Sequence, residues 1–243
     1  MASNPPGSCC NLGTLHEGTP SGQDIKIAGT IDGYLATAPE DKAHKNTAIL
    51  YLPDVFGIWQ NSKLMADAFA EKGYTTLVVD LFDGDTVPFN KEGFDFNAWR
   101  LNHTTDHVDP IVLKAIQHLK DAGVTKIAAV GYCFGAKYVV RHYKSGINVG
   151  YLGHPSFVEE AELAAITGPL AIAAAETDSI FTTELRHKSE EILIATKQHY
   201  QINLYSSVAH GFAVRGNKEN KIEKYAKEQA FLQAVTFFDN FPF

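Results

Sequence analysis

The chain has 243 residues, 45% of them hydrophobic and 20% charged, enough apolar material for one core of ordinary size and therefore one domain, 1–243. A formal net charge of −7 excludes a general role on nucleic acid or an anionic membrane, both of which need a basic footprint, and no Lys/Arg cluster overrides that average. No apolar run is long enough to cross a bilayer, Met1–Cys10 lacks the basic and apolar regions of a signal peptide, and three cysteines in such a chain fit a reducing, cytoplasmic setting.

Residues 1–24 are rich in Gly, Pro and Ser and are expected to be a loosely structured N-terminal segment. Cys9 and Cys10 are neighbours, a spacing at which an ordinary disulfide is strained. A vicinal pair is able to bind a soft metal or do redox chemistry, but no second ligand cluster accompanies it along the chain, so two reduced thiols are expected and no metal. Lys26–Ala38 alternates loosely and holds Asp32-Gly33, a hairpin signal. A regular rhythm follows. The apolar run Thr47–Pro53 reads as a strand, Asn61–Lys72 as a helix stopped by Gly73, and Thr75–Phe82 as the next strand.

Asp83–Phe96, rich in Gly, Asp, Pro and Phe, reads as a long loop. Thr104–Ala122 carries a helical stripe of Val108, Ile111, Val112, Ala115, Ile116 and Leu119, with Gly123 as its stop. Lys126–Tyr132 is a strand and Ala136–Lys144 a helix. The alternation then continues through Val149–Leu152 (strand), Val158–Ile166 (helix), Leu170–Ala175 (strand), Thr183–Lys197 (helix), Gln201–Ser206 (strand) and a closing helix, Lys221–Phe238. Short, continuously apolar strands alternating with helices predict an α/β fold. Its sheet would be mostly parallel and doubly wound, with helices on both faces.

Ligands of such sheets bind at the carboxyl ends of the strands. There the strand KIAAVGY runs into Gly131-Tyr132-Cys133-Phe134-Gly135, the pattern Gly-x-nucleophile-x-Gly with Cys at its centre. A tight strand-to-helix turn lifts the sulfur above the sheet, aims the Phe134 N–H at a developing oxyanion, and puts a helix N-terminus beside a thiolate. A buried structural cysteine in a Gly-rich turn, or a phosphate-gripping loop, has the same local pattern. Two later strand ends separate these readings. PLAIAAAE ends in Glu176-Thr177-Asp178, and QINLYSS is followed by Val208-Ala209-His210. Nucleophile, acid and histidine in that order make a Cys133–His210–Asp178 triad, in which the imidazole takes or shares the thiol proton and the carboxylate orients the ring.

With these motifs the chain resembles the dienelactone hydrolase (carboxymethylenebutenolidase) family of α/β-hydrolases, in its fungal branch. The resemblance runs from about Ile25 to the C-terminus through LPDVFG (Leu52–Gly57), VVDLFDGD (Val78–Asp85), GYCFGA (Gly131–Ala136), ETD (Glu176–Asp178) and HGFAVRG (His210–Gly216). It implies the α/β-hydrolase fold and hydrolysis of an ester or enol-lactone through an acyl-cysteine, with no cofactor. It also makes Val55 the second oxyanion donor beside Phe134, and Asp54, where the bacterial pattern has Glu, an acid that contacts the resting thiol. Arg215 matches, one residue late, an arginine that holds the substrate carboxylate. A second such arginine is missing from DLFDGD, so the substrate is expected to be a different ester, thioester or lactone.

Phe56, Trp59, Phe82, Trp99, Tyr132 and His154 are candidates to line its pocket. His103 and His107 have the i, i+4 spacing of helical metal ligands, with Asp106 beside them, but no further ligand accompanies them and they read as solvated, as does the mixed Lys218–Lys227 face. The expected partner is a small-molecule substrate, for a monomer or homodimer. Readings from other classes are a fold that only binds a small ligand and a thiol protein built on Cys9, Cys10 and Cys133. Acyl transfer to an acceptor other than water leaves the same marks as hydrolysis.

Overall fold

The computed structural model of the chain describes residues 1–241, so the last two residues of the expected 1–243 domain lie outside the description. In chain order the elements are strands β1 (Gln23–Ile27), β2 (Ile31–Ala36) and β3 (Thr47–Leu52), helix α1 (Gln60–Glu71), β4 (Thr75–Val79), α2 (Phe96–Asn102), α3 (Thr105–Asp121), β5 (Lys126–Tyr132) and α4 (Gly135–Arg141). They continue with β6 (Val149–Gly153), α5 (Glu160–Ala164), β7 (Leu170–Thr177), α6 (Thr183–Thr196), β8 (Tyr200–Ala209), α7 (Phe212–Arg215) and α8 (Lys221–Asn240). One eight-stranded sheet has the order β1-β2-β4-β3-β5-β6-β7-β8. β3 to β8 are parallel, and β2 joins antiparallel to β4 and to β1. This is the α/β-hydrolase architecture.

The interior strands are buried on both sides, and their side chains divide by the two-residue period. Ala48, Leu50, Leu52, Ile127, Ala129, Ile172 and Ala174 enter one apolar cluster, with α3 and α4. Ile49, Tyr51, Ala128, Val130, Ala171 and Ala173 enter the other, with α1 and α8. The expected stripe of α3 is buried from Val108 to Leu119. Each of its larger aliphatic side chains contributes about 1.5–3 kcal/mol by leaving water.

Three details differ from the sequence reading. The hairpin turns at Ala28-Gly29-Thr30, with Ala28 and Gly29 in left-handed conformations, while Asp32 and Gly33 lie inside β2. Between the stretch read as loop, Asp83–Phe96, and α3 stands a helix that the sequence reading did not assign, α2, capped by Asp95, whose carboxylate accepts the Asn97 and Ala98 N–H groups. The N-terminal segment has only one 3₁₀ turn, Ser8–Asn11, yet it is not loose. Ala2, Ser3, Cys10, Asn11 and His16 are buried, and the segment is tied to four separate loops at the carboxyl end of the sheet.

Candidate active site

The turn after β5 is built by two glycines that have no room for a side chain. A Cβ on Gly131 would come within 2.7 Å of Ala136 and Val139, and one on Gly135 within 2.1 Å of the Leu52 carbonyl. Their absence lets α4 start directly on the end of β3, which sets the turn beside Asp54-Val55. Between them Cys133 sits at φ +49, a left-handed conformation that a side chain resists. The strain is held by hydrogen bonds: Cys133 N–H donates to Gly153 O at 3.1 Å, and Cys133 O accepts from Ser156 N–H at 3.0 Å and Ala136 N–H at 3.2 Å.

Sheet register places the acid and the imidazole. After a bulge, Thr177 of β7 pairs with Ala209 of β8, so the next residues, Asp178 and His210, leave the sheet side by side. His210 Nδ1–H donates to Asp178 Oδ2 at 2.9 Å, with Oδ1 at 3.1 Å. Asp178 Oδ1 also accepts the Ile180 and Phe181 N–H groups at 2.8 and 3.0 Å, which fixes the carboxylate. By the same logic Tyr132 of β5 pairs with Gly153 of β6, and Cys133 and His154 emerge together. The His154 ring lies 4.9 Å from that of His210, fully buried, with neither nitrogen hydrogen-bonded among the described residues. Burial, with the nearby charges of His210 and Arg215, pushes His154 well below the usual histidine range, so it stands as a neutral ring.

Cys10 completes the cluster, and the sequence reading missed it. Its Sγ is 3.4 Å from Cys133 Sγ and 3.5 Å from His210 Nε2. The Cys10 and Cys133 sulfurs and His210 Nε2 all lie within 4.8 Å of one another. Cys133 and Cys10 are 0% exposed. Contacts far apart in the chain deliver Cys10 there. Ala2 and Ser3 N–H donate to Val158 O, Asn4 N–H to Ile180 O, and Asn90 N–H to Asn11 O, while Arg215 Nε–H donates to Leu12 O. No periodicity in residues 1–24 signals these bonds; the one local signal was the Cys9-Cys10 pair.

Burial opposes an ion at Cys133, but the hydrogen bond with Cys10 and the charges of His210 and Arg215 outweigh it and hold the thiol well below its ordinary value. The Cys133 and Asp178 charges likewise lift His210, against its burial, to about 10. Hydrogen bonds to Cys133 and Cys9, then burial, push the Cys10 thiol up. These directions favour a Cys133 thiolate beside a His210 imidazolium, with Cys10 Sγ in hydrogen-bonding contact with Cys133 Sγ.

Asp54 makes no hydrogen bond to the Cys133 thiol among the described residues, the contact that the resemblance implied. It is buried, accepts the Phe56 N–H at 3.1 Å and forms an ion pair with buried Arg215, Nη1 to Oδ2 at 2.6 Å. A buried guanidinium requires a counter-charge, and Asp54 supplies it. The thiol instead meets Cys10 and, at 3.5 Å, Ser156 Oγ. Arg215 is correspondingly engaged: Nε holds Leu12 O, the guanidinium covers Phe56, and Nη2 is buried with no hydrogen bond among the described residues. The Val55 and Phe134 N–H groups donate to no acceptor among the described residues.

The aromatic candidates do not form one pocket. Phe82 and Trp99 pack against Phe134, with ring centroids 5.2 and 5.6 Å from it. Phe56 and Trp59 pack on each other and on Phe89. Tyr132 points by strand alternation into the opposite core against Tyr51. A cavity of about 400 Å³ reaches His210 and Arg215, bounded by Leu12, Thr177, Val208 and Phe212. His103 and His107 turn to separate carboxylates, Asp85 and Asp83, and Asp106 is exposed. No helix among the described residues is long and apolar enough to cross a membrane.

A model of the dienelactone hydrolase family matches residues 31–241. The chain is 46% identical to the hydrolase tropI of Talaromyces stipitatus, over 99% of this chain and 98% of that one. It is 44% identical to the hydrolase pyvD of Aspergillus violaceofuscus, over 99% of each. Among solved structures, a putative dienelactone hydrolase from Klebsiella pneumoniae superimposes with a TM-score of 0.72 at 13% identity, covering 90% of this chain and 98% of that one. The last likeness carries the fold alone.

Proposed function

This chain belongs to the dienelactone hydrolase family of hydrolases, and on that premise we propose that it cleaves an ester or lactone of a small organic acid with Cys133 as nucleophile. The observation that carries this reading is the positively rotated Cys133 on its glycine-built turn, within 4.8 Å of an imidazole anchored by Asp178. The Cys133 thiolate attacks the carbonyl carbon, and the oxygen that becomes negative is received by the Val55 and Phe134 N–H groups. Collapse breaks the carbon–oxygen bond, and the departing alkoxide takes the proton from His210 Nε2. An acyl-cysteine remains. His210, now neutral, removes a proton from water, the hydroxide adds to the thioester, and the thiolate leaves with the acid product. No other group has to supply electrons or charge.

Incubation with a chromogenic short-chain ester tests the assignment. Turnover is expected to fall roughly a thousandfold or more in Cys133→Ala, and a slowly hydrolysed activated ester should leave an acyl adduct on the Cys133 peptide in mass spectrometry. Full activity in Cys133→Ala, or an adduct confined to another residue, overturns the reading.

A further inference from the structure

We propose that Cys10, Cys133 and His210 form a site for one soft divalent metal ion, zinc before others, and that filling it silences the nucleophile. The silencing rests on the function proposed above; the binding does not. Along the chain the Cys9-Cys10 pair lacks companion ligands, and the fold supplies them by laying the 3₁₀ turn Ser8–Asn11 over Cys133 and His210.

The spacing suits the ion. Zinc–sulfur and zinc–nitrogen bonds of about 2.3 and 2.0 Å in a tetrahedron make sulfur–sulfur edges of about 3.7 Å and sulfur–nitrogen edges of about 3.5 Å. The structure has 3.4 Å between the sulfurs and 3.5 Å from Cys10 Sγ to His210 Nε2, with the third separation inside 4.8 Å. Shifts of a few tenths of an ångström to about one ångström close the set.

The surroundings suit it too. His210 gives its Nδ1–H to Asp178, which leaves Nε2 directed at the sulfurs, the arrangement in which a carboxylate orients a metal-binding histidine. Ser156 Oγ, 3.5 Å from Cys133 Sγ, borders the fourth position. Two thiolates neutralise a dication, so the complex places no net charge in the interior. Binding releases two protons, the Cys10 thiol proton and the one carried on His210 Nε2. Two sulfurs and one imidazole select zinc, cadmium or cobalt over magnesium or calcium. Once coordinated, His210 Nε2 has no lone pair left to take a proton from water, and Cys133 Sγ shares its negative charge with the metal and is a weaker nucleophile toward a carbonyl.

The test uses the full chain under a phosphine reductant, with Co²⁺ as spectroscopic probe and Zn²⁺ as competitor. One equivalent of Co²⁺ is expected to give a near-ultraviolet thiolate charge-transfer band and tetrahedral visible bands that Zn²⁺ displaces and Mg²⁺ does not. Zinc should shield Cys10 and Cys133, but not Cys9, from iodoacetamide in peptide-resolved mass spectrometry. Cys10→Ser should weaken binding roughly tenfold or more and diminish the charge-transfer band, while Cys9→Ser keeps both; the shielding experiment, done on the unaltered chain, decides the matter if Cys10→Ser misfolds. The absence of tetrahedral bands at one equivalent, or bands unchanged in folded Cys10→Ser, overturns the site. Ester turnover that is present but indifferent to zinc overturns the silencing and leaves the function standing. Cobalt bands in a chain without turnover leave the metal site and remove the function.

Discussion

At Cys133 two opposing effects meet: burial disfavours an ion, and a hydrogen-bonded neighbour with two nearby cations favours it. The second set wins, so the thiolate–imidazolium pair exists above the lowered value of Cys133 and is lost only as pH rises through about 10, where His210 gives up its proton. Alkylation of Cys133, followed on its own peptide, should therefore change less than about twofold between pH about 6 and 8, whereas a thiol with a pKa of about 8.5 gains nearly tenfold per unit. A tenfold rise per unit would show that the pair is not formed. Asp54 makes a second residue-scale prediction. Asp54→Asn leaves the Arg215 charge buried without a counter-ion, which should cost about 3–5 kcal/mol in urea unfolding. The candidate cluster of Cys133, Asp178 and His210 was legible in the chain because each of the three follows directly on a strand end. Cys10 and the Asp54–Arg215 pair were not, since they depend on contacts 161 residues apart or more for the ion pair and 123 or more for Cys10.

Among the elements, the one that sequence pattern described worst is the N-terminal strap. Gly, Pro and Ser suggest looseness because they carry little apolar area, but order here comes from polar bonds to other loops rather than from packing. Asn61 is the clearest anchor. Its side chain donates to Thr14 O and Val214 O and accepts from His16 N–H, fully buried. Asn61→Ala would leave those groups unsatisfied, at about 1–3 kcal/mol each. A lowered melting temperature is expected, together with new protease cleavage within residues 12–20. Intact kinetics of digestion would show that the strap is held from elsewhere. Helix α2 was missed for a related reason: its seven residues are set by one capping aspartate and by Trp99 packing, not by a long apolar stripe.

For the molecule as a whole, continuous apolar strands alternating with helices were sufficient to give the layer architecture, and the matched relatives span essentially its whole length. What alternation does not encode is which strand ends become neighbours. The bulge between Ala175 and Thr177 sets Asp178 next to His210, and a slip of one residue there would point the two side chains to opposite faces of the sheet.

The same outer strand has a further consequence for the dynamics of the chain. β8 is ten residues long and bonds to β7 along one flank, while its other flank carries no strand among the described residues. Successive amides of such a strand face alternately toward the neighbour and toward water. Deuterium uptake along Tyr200–Ala209 should therefore follow a saw-tooth, slow and fast by turns, and uniform slow uptake would reveal that another chain has docked along that flank in solution.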